Sequence, residues 1–409
     1  MTEPVTSDAE RAGRSAVLRI VVPGTAMIAV SFGLARYGYG LLLPEMRADL
    51  GLDAGTAGLI ASGTYLSYLV ANVAAVVVAD RWGPRAAIGA AGLFAAAGMA
   101  IMAAADAPWI LAVGVLLAGA ASGLAYPPYA ALVAQGVPER RRDLAWSAIS
   151  SGTGWGVAVA GPLAIVAGDR WRAVWLVFIV LAVGVGAAAV LLAPRSLDTV
   201  RSGRPQLSWA WFVCPRSRPL LISAVLVGTG SAVWWSFSVD ALRTAGLAPG
   251  MANAVFAVCG VAGVLASVSG AVFGRVGLRR GYLAGGLLLA VSLGLLALTG
   301  SAVSGAFTAA ALFGVCYNGV IAAHGIWSSR VFADHPAAGL AAVNTALTVG
   351  TLAGPTLAGV GVTLVGYPVT LGAAAVVLLL ALPFCPPTGR RAVALDAHRE
   401  RCRAAPVRT

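Results

Sequence analysis

Long apolar runs separated by short polar turns fill almost the whole chain. A run of about 20 apolar residues crosses a hydrocarbon core of roughly 30 Å as a helix, because a helix satisfies its own backbone hydrogen bonds. We therefore predict an all-α polytopic membrane protein with twelve transmembrane helices. They lie near 18–43, 57–79, 86–105, 109–135, 146–168, 173–193, 219–242, 251–273, 281–300, 304–329, 339–364 and 367–385.

Two landmarks recur at nearly the same offset along the chain. The charged turn around Gly83 returns around Gly277, 194 positions later, and Gly161–Pro162 returns as Gly354–Pro355, 193 positions later. A shared offset predicts two related halves, each a six-helix bundle. The predicted segments are an N-terminal tail, a first bundle, a polar linker, a second bundle and a C-terminal tail, at 1–17, 18–193, 194–218, 219–386 and 387–409.

The composition supports a membrane protein and excludes several other classes. Hydrophobic residues make up 59% of the chain and charged residues 11%, whereas soluble domains carry about 25% charged residues. The net charge of +12 does not indicate a nucleic-acid partner, because the 28 basic residues are all arginines and lie mainly at the ends of apolar runs. The cysteines lack metal spacing and no phosphate-binding loop occurs, so we expect neither cofactor nor metal.

The arginines also predict the orientation in the membrane. With the N-terminus in the cytoplasm, 23 of the 28 arginines fall on the cytoplasmic side and 4 on the opposite side, with Arg36 inside a span. Because positively charged loops stay on the cytoplasmic side, both termini are expected there. An arginine-only chain rich in alanine and glycine is typical of a GC-rich bacterial genome, so we expect the cytoplasmic (plasma) membrane of a bacterium.

The repeated turn resembles the signature of the major facilitator superfamily, Gly-x-x-x-Asp-Arg-x-Gly-Arg-Arg/Lys, between the second and third helices. The matching residues of the two copies are Asp80, Arg81, Gly83 and Arg85, and Gly270, Arg275, Gly277 and Arg279. The departures are Val76, Pro84 and Gly274. The resemblance implies a two-bundle secondary transporter that works by alternating access, in which these turns latch one conformation as a gate.

Two further stretches carry the resemblance. The glycine-spaced fifth helix of antiporters, which bends at Gly-Pro, is approximated by Gly161–Pro162 and returns as Gly354–Pro355, although the arginine typical of the fourth helix of proton-coupled exporters is absent. The stretch Phe32–Arg47 resembles the opening of the YbfB/YjiJ-like branch. That branch implies a transporter of unsettled substrate, and the superfamily implies a monomer.

Arg36 is the clearest candidate for function, because a charged residue inside a span is costly, about 2.5–3.5 kcal/mol on insertion scales. Helical spacing places Gly33 and Gly40 on the face of Arg36, and Arg36 itself lies eight residues before Pro44, which is expected to end the helix. Arg36 either faces a central cavity and attracts an anionic or carboxylate substrate, or pairs with a neighbouring helix for structural reasons.

Asp240 and His324 are the candidates for proton coupling. A carboxylate in a cavity that opens to alternate sides can carry a proton, but Asp240 is equally compatible with a solvated acid paired with Arg243. Histidine titrates in the useful range, but a single His324 is also compatible with a hydrogen bond to a helix neighbour.

By analogy with the superfamily, spans one, four, seven and ten are expected to line the cavity. Polar and aromatic faces at helical spacing extend the set, although such faces also join helices through hydrogen bonds. The substrate-binding candidates are Arg36, Tyr37, Tyr68, Tyr126, Trp234, Tyr317, His324 and Asn344.

Two directions of transport fit these features. Proton-coupled efflux of amphipathic small molecules agrees with the Gly-Pro helices, the aromatic content and the few buried charges. Proton-coupled or facilitative uptake of a small anionic or carboxylate metabolite agrees with Arg36 and with the missing arginine of the fourth span. A polytopic membrane enzyme is a remote third interpretation, because only three histidines occur and no acidic pair lies near His324.

Overall fold

The computed structural model describes residues 5–193, 216–265, 269–299, 301–333 and 336–387, and every regular element in these ranges is helical. A π-helical turn, Ala29–Leu34, follows the first helix directly. The helices in chain order are α1 Val5–Ile28, α2 Gly38–Leu41, α3 Leu43–Leu50, α4 Ala54–Trp82, α5 Pro84–Ala103, α6 Pro108–Gly136, α7 Glu139–Ala167, α8 Trp171–Leu192, α9 Arg218–Thr244, α10 Pro249–Leu265, α11 Ser269–Val276, α12 Leu278–Thr299, α13 Val303–Val331 and α14 Pro336–Leu380.

The helices account for the predicted twelve spans. Ten of the described helices are long and apolar enough to cross a membrane. The longest, α14, holds two predicted spans, which meet at Gly366 with its non-helical φ of 78°. The predicted span 251–273 corresponds to α10 and α11, with 266–268 outside the described residues. The predicted all-α class is confirmed.

Backbone geometry supports the internal repeat. Six glycines in the described residues have positive φ, a conformation that glycine adopts without steric cost. They form three pairs separated by 195, 194 and 198 positions, namely Gly51 with Gly246, Gly83 with Gly277, and Gly168 with Gly366. We call the end of the bundle that contains Gly51 and Gly246 the arginine-poor end, and the end that contains Gly83 and Gly277 the arginine-rich end.

The first span differs from its prediction at both ends. Helix α1 begins at Val5, within the predicted tail, rather than near residue 18. Pro44 does not end the span but occupies the first turn of α3, where a missing N–H donor has no consequence. The helix is instead interrupted at Leu42, whose φ of −98° and ψ of 6° are not helical.

The two halves touch through three pairs of elements: α4 with α14, α7 with α10, and α2–α3 with α9. Glycines bring the backbones together at these contacts. A Cβ on Gly40 would overlap the Trp235 carbonyl oxygen, and a Cβ on Gly58 would overlap that of Pro355. Thr356 of α14 also donates hydrogen bonds from its backbone N–H (3.1 Å) and its hydroxyl (2.7 Å) to Ser62 of α4. These contacts lie toward the arginine-poor end.

The loop that follows α3 fixes the start of α4. The Asp53 carboxylate accepts hydrogen bonds from the backbone N–H (2.9 Å) and the hydroxyl (2.6 Å) of Thr56. These bonds hold the pKa of Asp53 below its usual value. Such an N-cap satisfies donors that the first helical turn leaves free. It therefore sets the register at which α4 meets α14.

We predict that Gly58→Ala lowers the free energy of unfolding by about 1–3 kcal/mol, because the added methyl group forces α4 away from α14. The matched control is Gly184→Ala, since Gly184 is exposed and has no neighbouring atom within 4 Å of the position that a Cβ would take. Alanine there should be neutral or stabilising by up to about 1 kcal/mol. Thermal unfolding in lipid nanodiscs measures both, and equal responses would contradict the close contact.

Candidate substrate site and gate

A narrow cleft lies where the two halves meet. Its walls come from the interrupted first span, from α4 and from α9, so both halves contribute. The lining residues are Arg36, Tyr37, Tyr39, Gly40, Ala61, Thr64, Tyr65, Trp235 and Ser236. Two of the predicted cavity residues, Arg36 and Tyr37, lie in this cleft.

Arg36 is 8% exposed, and aromatic rings surround its guanidinium group. The guanidinium carbon lies 4.3 Å from the ring centre of Tyr65 and 4.6 Å from that of Tyr68, both on α4. Phe32 and Tyr37 follow at 5.4 and 5.7 Å. These are cation–π distances. The Arg36 Nε atom is buried and has no hydrogen-bond partner among the described residues.

The π-helical turn explains why Arg36 faces α4. A π-turn inserts one extra residue and changes the face on which the following side chains lie. A Cβ on Gly33 would meet the backbone of Gly156 on α7, whereas a Cβ on Gly40 would meet Trp235 on α9. The expectation that Gly33 shares the face of Arg36 is therefore wrong, because it assumed an uninterrupted α-helix, whereas Gly40 lines the cleft together with Arg36.

Stacked aromatic rings continue from the cleft into the second half. Tyr37 stacks on Trp235 with ring centres 4.1 Å apart, across the boundary between the halves. Phe313 then stacks on Trp234 (4.5 Å) and on Tyr317 (5.5 Å). Trp234, a predicted cavity residue, is fully buried against Phe313. Its neighbour Trp235 is the tryptophan that lines the cleft.

Two ion pairs join the halves at the arginine-poor end. Arg47 of α3 pairs with Asp240 of α9, and Arg243 of α9 pairs with Glu45 of α3. The carboxylate side chains are only 7% and 6% exposed. Tyr367 donates a hydrogen bond to Asp240 and accepts one from Arg47 at 3.1 Å. We call Glu45, Arg47, Asp240 and Arg243 the clasp.

The clasp follows the internal repeat. Asp240 lies 195 positions after Glu45, and Arg243 lies 196 positions after Arg47, close to the offsets of the paired glycines. Each half therefore supplies one acid and one arginine to its counterpart. Asp240 is buried and bound to Arg47 and Tyr367, so its interpretation as a solvated acid paired with Arg243 is wrong.

A different ion pair at the same end stays within the first half. Asp49 of α3 pairs with Arg172 of α8, and both side chains are exposed, at 44% and 43%. The hydrogen bond from Arg172 holds the pKa of Asp49 below its usual value. Arg172 also donates to the Ala105 carbonyl at 2.8 Å and stacks on Trp171.

His324 belongs to a buried network inside the second half. Its Nε2 lies 2.8 Å from the Ser223 hydroxyl and its Nδ1 lies 2.9 Å from the Val320 carbonyl oxygen. Ser223 lies 2.6 Å from the Tyr282 hydroxyl, which donates to the Ala381 carbonyl at 3.1 Å. His324 therefore does not line the cleft but connects α9, α12, α13 and the end of α14.

The remaining predicted cavity residues lie around these groups. Tyr68 packs against Arg36, and Tyr126 of α6 lies 5.8 Å from Phe32 between ring centres. Asn344 of α14 is half-buried, and its backbone carbonyl accepts a hydrogen bond from Thr348 at 2.7 Å. The structure brings Tyr68 to the Arg36 site and leaves Asn344 in a separate contact.

The predicted latch residues lie at the arginine-rich end. Asp80, Arg81 and Arg275 are exposed. Arg85 donates to the backbone carbonyl oxygens of Ala193 (2.7 Å) and Leu191 (3.3 Å), within its own half. Arg279 lines a shallow cleft together with Gly277, Arg280 and Arg330. In this conformation, these side-chain contacts thus do not join the two halves.

Both predicted Gly-Pro sites lie inside continuous helices. Helix α7 passes through Pro162 and α14 through Pro355. A Cβ on Gly161 would meet the Asn253 carbonyl oxygen and Ala257 of α10, and Gly354 closely approaches Thr229 of α9. These glycines place the helices in close contact with their neighbours, and the bending at Gly-Pro stays a prediction.

Sequence reasoning missed several site residues. Glu45 and Arg47 lie beside the ends of spans, where charged residues are ordinary, and Tyr367 opens the last span. Arg243 was identified, but with Asp240 as its partner instead of Glu45. The repeat offset was the signal that could have paired Glu45 with Asp240. No sequence signal indicates that Trp235, rather than Trp234, meets Tyr37.

Two repeated helical bundles around a shared cleft form the architecture of a multi-pass membrane transporter. A model of the Major Facilitator Superfamily matches residues 25–277, more than half of the chain. The chain therefore belongs to the Major Facilitator Superfamily. A membrane environment and a small-molecule substrate follow from this membership.

Solved structures agree in fold. The nucleoside transporter NupG, as a single-residue variant, matches with a TM-score of 0.75 at 13% identity, covering 89% of this chain and 98% of that chain. A bacterial homologue of the human lysosomal transporter Spinster, in an inward-facing and occupied conformation, matches with a TM-score of 0.69 at 15% identity, covering 90% and 95%. Identities this low show the fold alone.

One curated relative is similar over a shorter stretch. A protein of Streptomyces coelicolor described as "Probable actinorhodin transporter" is 31% identical over 167 residues. The match covers 39% of this chain and 28% of that protein. The aligned region therefore spans less than a third of the relative's length.

We predict that the clasp contributes a measurable coupling energy between the halves. In a double-mutant cycle of Arg47→Gln and Asp240→Asn, the coupling in unfolding free energy should be about 0.5–3 kcal/mol, because the pair is largely buried. The control cycle, Asp49→Asn with Arg172→Gln, concerns an exposed pair and should show little coupling. Equal coupling in the two cycles, measured by thermal unfolding in nanodiscs, would argue against a buried clasp.

Proposed function

We propose that this protein is a secondary transporter that exports an amphipathic small molecule by alternating access, in exchange for protons. The observation that carries the proposal is the clasp. Its two ion pairs connect equivalent helices of the two halves, so any movement that opens this end must break both together. Such a gate is what alternating access requires, because the transporter must expose its central cleft to one side of the membrane at a time.

The orientation follows from the arginines. We place the clasp on the outside of the bacterial plasma membrane and both termini in the cytoplasm, because most arginines lie at the other end. The described conformation is then closed toward the outside. The Asp80–Arg85 turn is expected to form the cytoplasmic latch when the molecule opens outward, and the transporter is expected to act as a monomer.

Two groups are candidates for the coupling proton. Asp240 is almost fully buried in the clasp, and opening of the clasp would expose it to water and allow it to take up a proton. A protonated Asp240 could no longer form an ion pair with Arg47, so proton binding would be linked to opening. In the His324 network, four close contacts join His324, Ser223, Tyr282 and two backbone carbonyl oxygens. The Ser223 and Tyr282 hydroxyl groups and a neutral His324 ring each supply one proton, which makes three donors for four contacts. A protonated His324 ring supplies a second N–H and therefore the fourth donor.

Transport of an amphipathic compound is supported by the nature of the cleft and by the curated relative. The cleft is bordered by aromatic rings, which suit amphipathic molecules with apolar bodies. The relative is described as "Probable actinorhodin transporter", and we extend to this chain only the idea of a transported compound.

Uptake of a small anionic or carboxylate metabolite is the second candidate function. The specific observation in its favour is Arg36, a buried cation in the cleft without an acidic partner among the described ion pairs. Export and uptake differ in how substrate movement is linked to proton movement, so one measurement separates them.

We predict that proteoliposomes loaded with a transported compound acidify inside as the compound leaves, because an antiporter takes up protons in exchange. A pH-sensitive dye inside the liposomes measures this, with a panel of aromatic carboxylates, neutral aromatics and lipophilic cations. Asp240→Asn should abolish the proton signal if Asp240 carries the proton, and His324→Gln should do so if His324 does. Asp49→Asn is the matched control and should behave as the wild type.

The sign of the pH change decides between the candidates. Interior alkalinisation as the compound leaves would show symport and favour the uptake candidate. Transport of a compound without any proton movement would contradict coupling and leave a facilitator.

A further inference from the structure

We infer that Arg36 binds the carboxylate of a planar aromatic substrate, edge-on, at the boundary between the two halves. This inference rests on the proposed transport function and names the substrate class of the same cleft. It excludes lipophilic cations, which the export hypothesis by itself would allow.

The first step concerns charge. Arginine keeps its proton in proteins, so Arg36 is a cation in any conformation. At 8% exposure it has lost most of its hydration. The ion pairs of the described residues use Arg47, Arg172 and Arg243 but not Arg36. A buried charge without a counter-ion is unfavourable, so the site is suited to an anion that arrives from outside the chain.

The second step concerns geometry. The guanidinium carbon of Arg36 lies over the ring faces of Tyr65 and Tyr68, at 4.3 and 4.6 Å from the ring centres. Rings stabilise the cation through their π-electrons but accept none of its in-plane N–H groups in conventional hydrogen bonds. The buried Nε of Arg36 accordingly has no partner among the described residues. The planar fork that remains matches a carboxylate, which accepts two parallel hydrogen bonds.

The third step concerns the body of the ligand. Next to Arg36, Tyr37 of the first half stacks on Trp235 of the second half at 4.1 Å. The cleft holds only about 10 Å³ in the described conformation, so a flat aromatic ring enters after Tyr37 and Trp235 separate, and it then replaces their contact by offering each residue a π-face. Thr64 and Ser236 add hydroxyl groups from the two halves to the same cleft. A ligand held there contacts both halves at once, so its binding is linked to their relative movement.

The test uses the full-length protein in lipid nanodiscs and three probes of one shape. They are 1-naphthoate, its neutral analogue 1-naphthamide, and the cation 1-naphthylmethylammonium, with dissociation constants measured by calorimetry. Wild type should bind 1-naphthoate at least about tenfold more tightly than 1-naphthamide, as expected when one member of a buried charge pair is missing. The cation should bind most weakly.

Variants of Arg36 sharpen the test. Arg36→Gln should bind 1-naphthoate and 1-naphthamide equally, and Arg36→Lys, which keeps the charge but loses the fork, should show an intermediate preference. Arg172→Gln, an arginine outside the cleft, should keep the wild-type preference. If an Arg36 variant does not fold, the comparison of the three probes on the wild-type protein still tests the inference.

Three results would overturn the inference: no binding of 1-naphthoate to wild type, no preference for it over 1-naphthamide, or a preference that persists in Arg36→Gln. Failure of the proposed function gives a different outcome. In that case 1-naphthoate binds with the expected dependence on Arg36 but does not move across proteoliposomes.

Discussion

The buried ion pairs between α3 and α9 are the interaction on which the described conformation depends. A carboxylate that is almost fully buried must be paired, so Glu45 and Asp240 can lie at the boundary between the halves only while Arg243 and Arg47 remain in place. Because each pair has one member in each half, closure at this end is cooperative. The glycine contacts of α4 with α14 and of α7 with α10 reinforce it by bringing the backbones together.

The charges of three sites in this molecule are compensated in three different ways. The clasp residues are paired across the halves, and the Asp49–Arg172 pair is exposed to solvent at the surface of one half. Arg36 is buried beside aromatic rings and takes part in none of the ion pairs of the described residues. Since a membrane offers no solvent to compensate a buried charge, the unpaired site is the one where an external ion has most to contribute. This contrast is the basis for proposing the clasp as a gate and the surroundings of Arg36 as a binding site.

The internal repeat links these sites. The positive-φ glycines and the acid–arginine sets of α3 and α9 recur at offsets of 194 to 198 positions, so the two halves present equivalent surfaces to one another. Arg36 and the His324 network break this equivalence, because the first half carries the cation and the second half carries the titratable network. The proposed substrate and proton sites therefore lie where the two copies differ, and the proposed gate lies where they agree.

The sequence by itself determined the membrane class, the number of spans, the repeat and the unusual position of Arg36, because apolar run length, charge placement and offsets are properties of the chain alone. Tertiary structure decided which residues meet. The first span is interrupted at Leu42 instead of Pro44, and Arg36 lies against Tyr65 after a π-turn. Trp235, and not its neighbour Trp234, stacks on Tyr37. Asp240 pairs with Arg47, 193 positions away. Local patterns specify helices, but contacts between distant helices depend on how two whole halves pack.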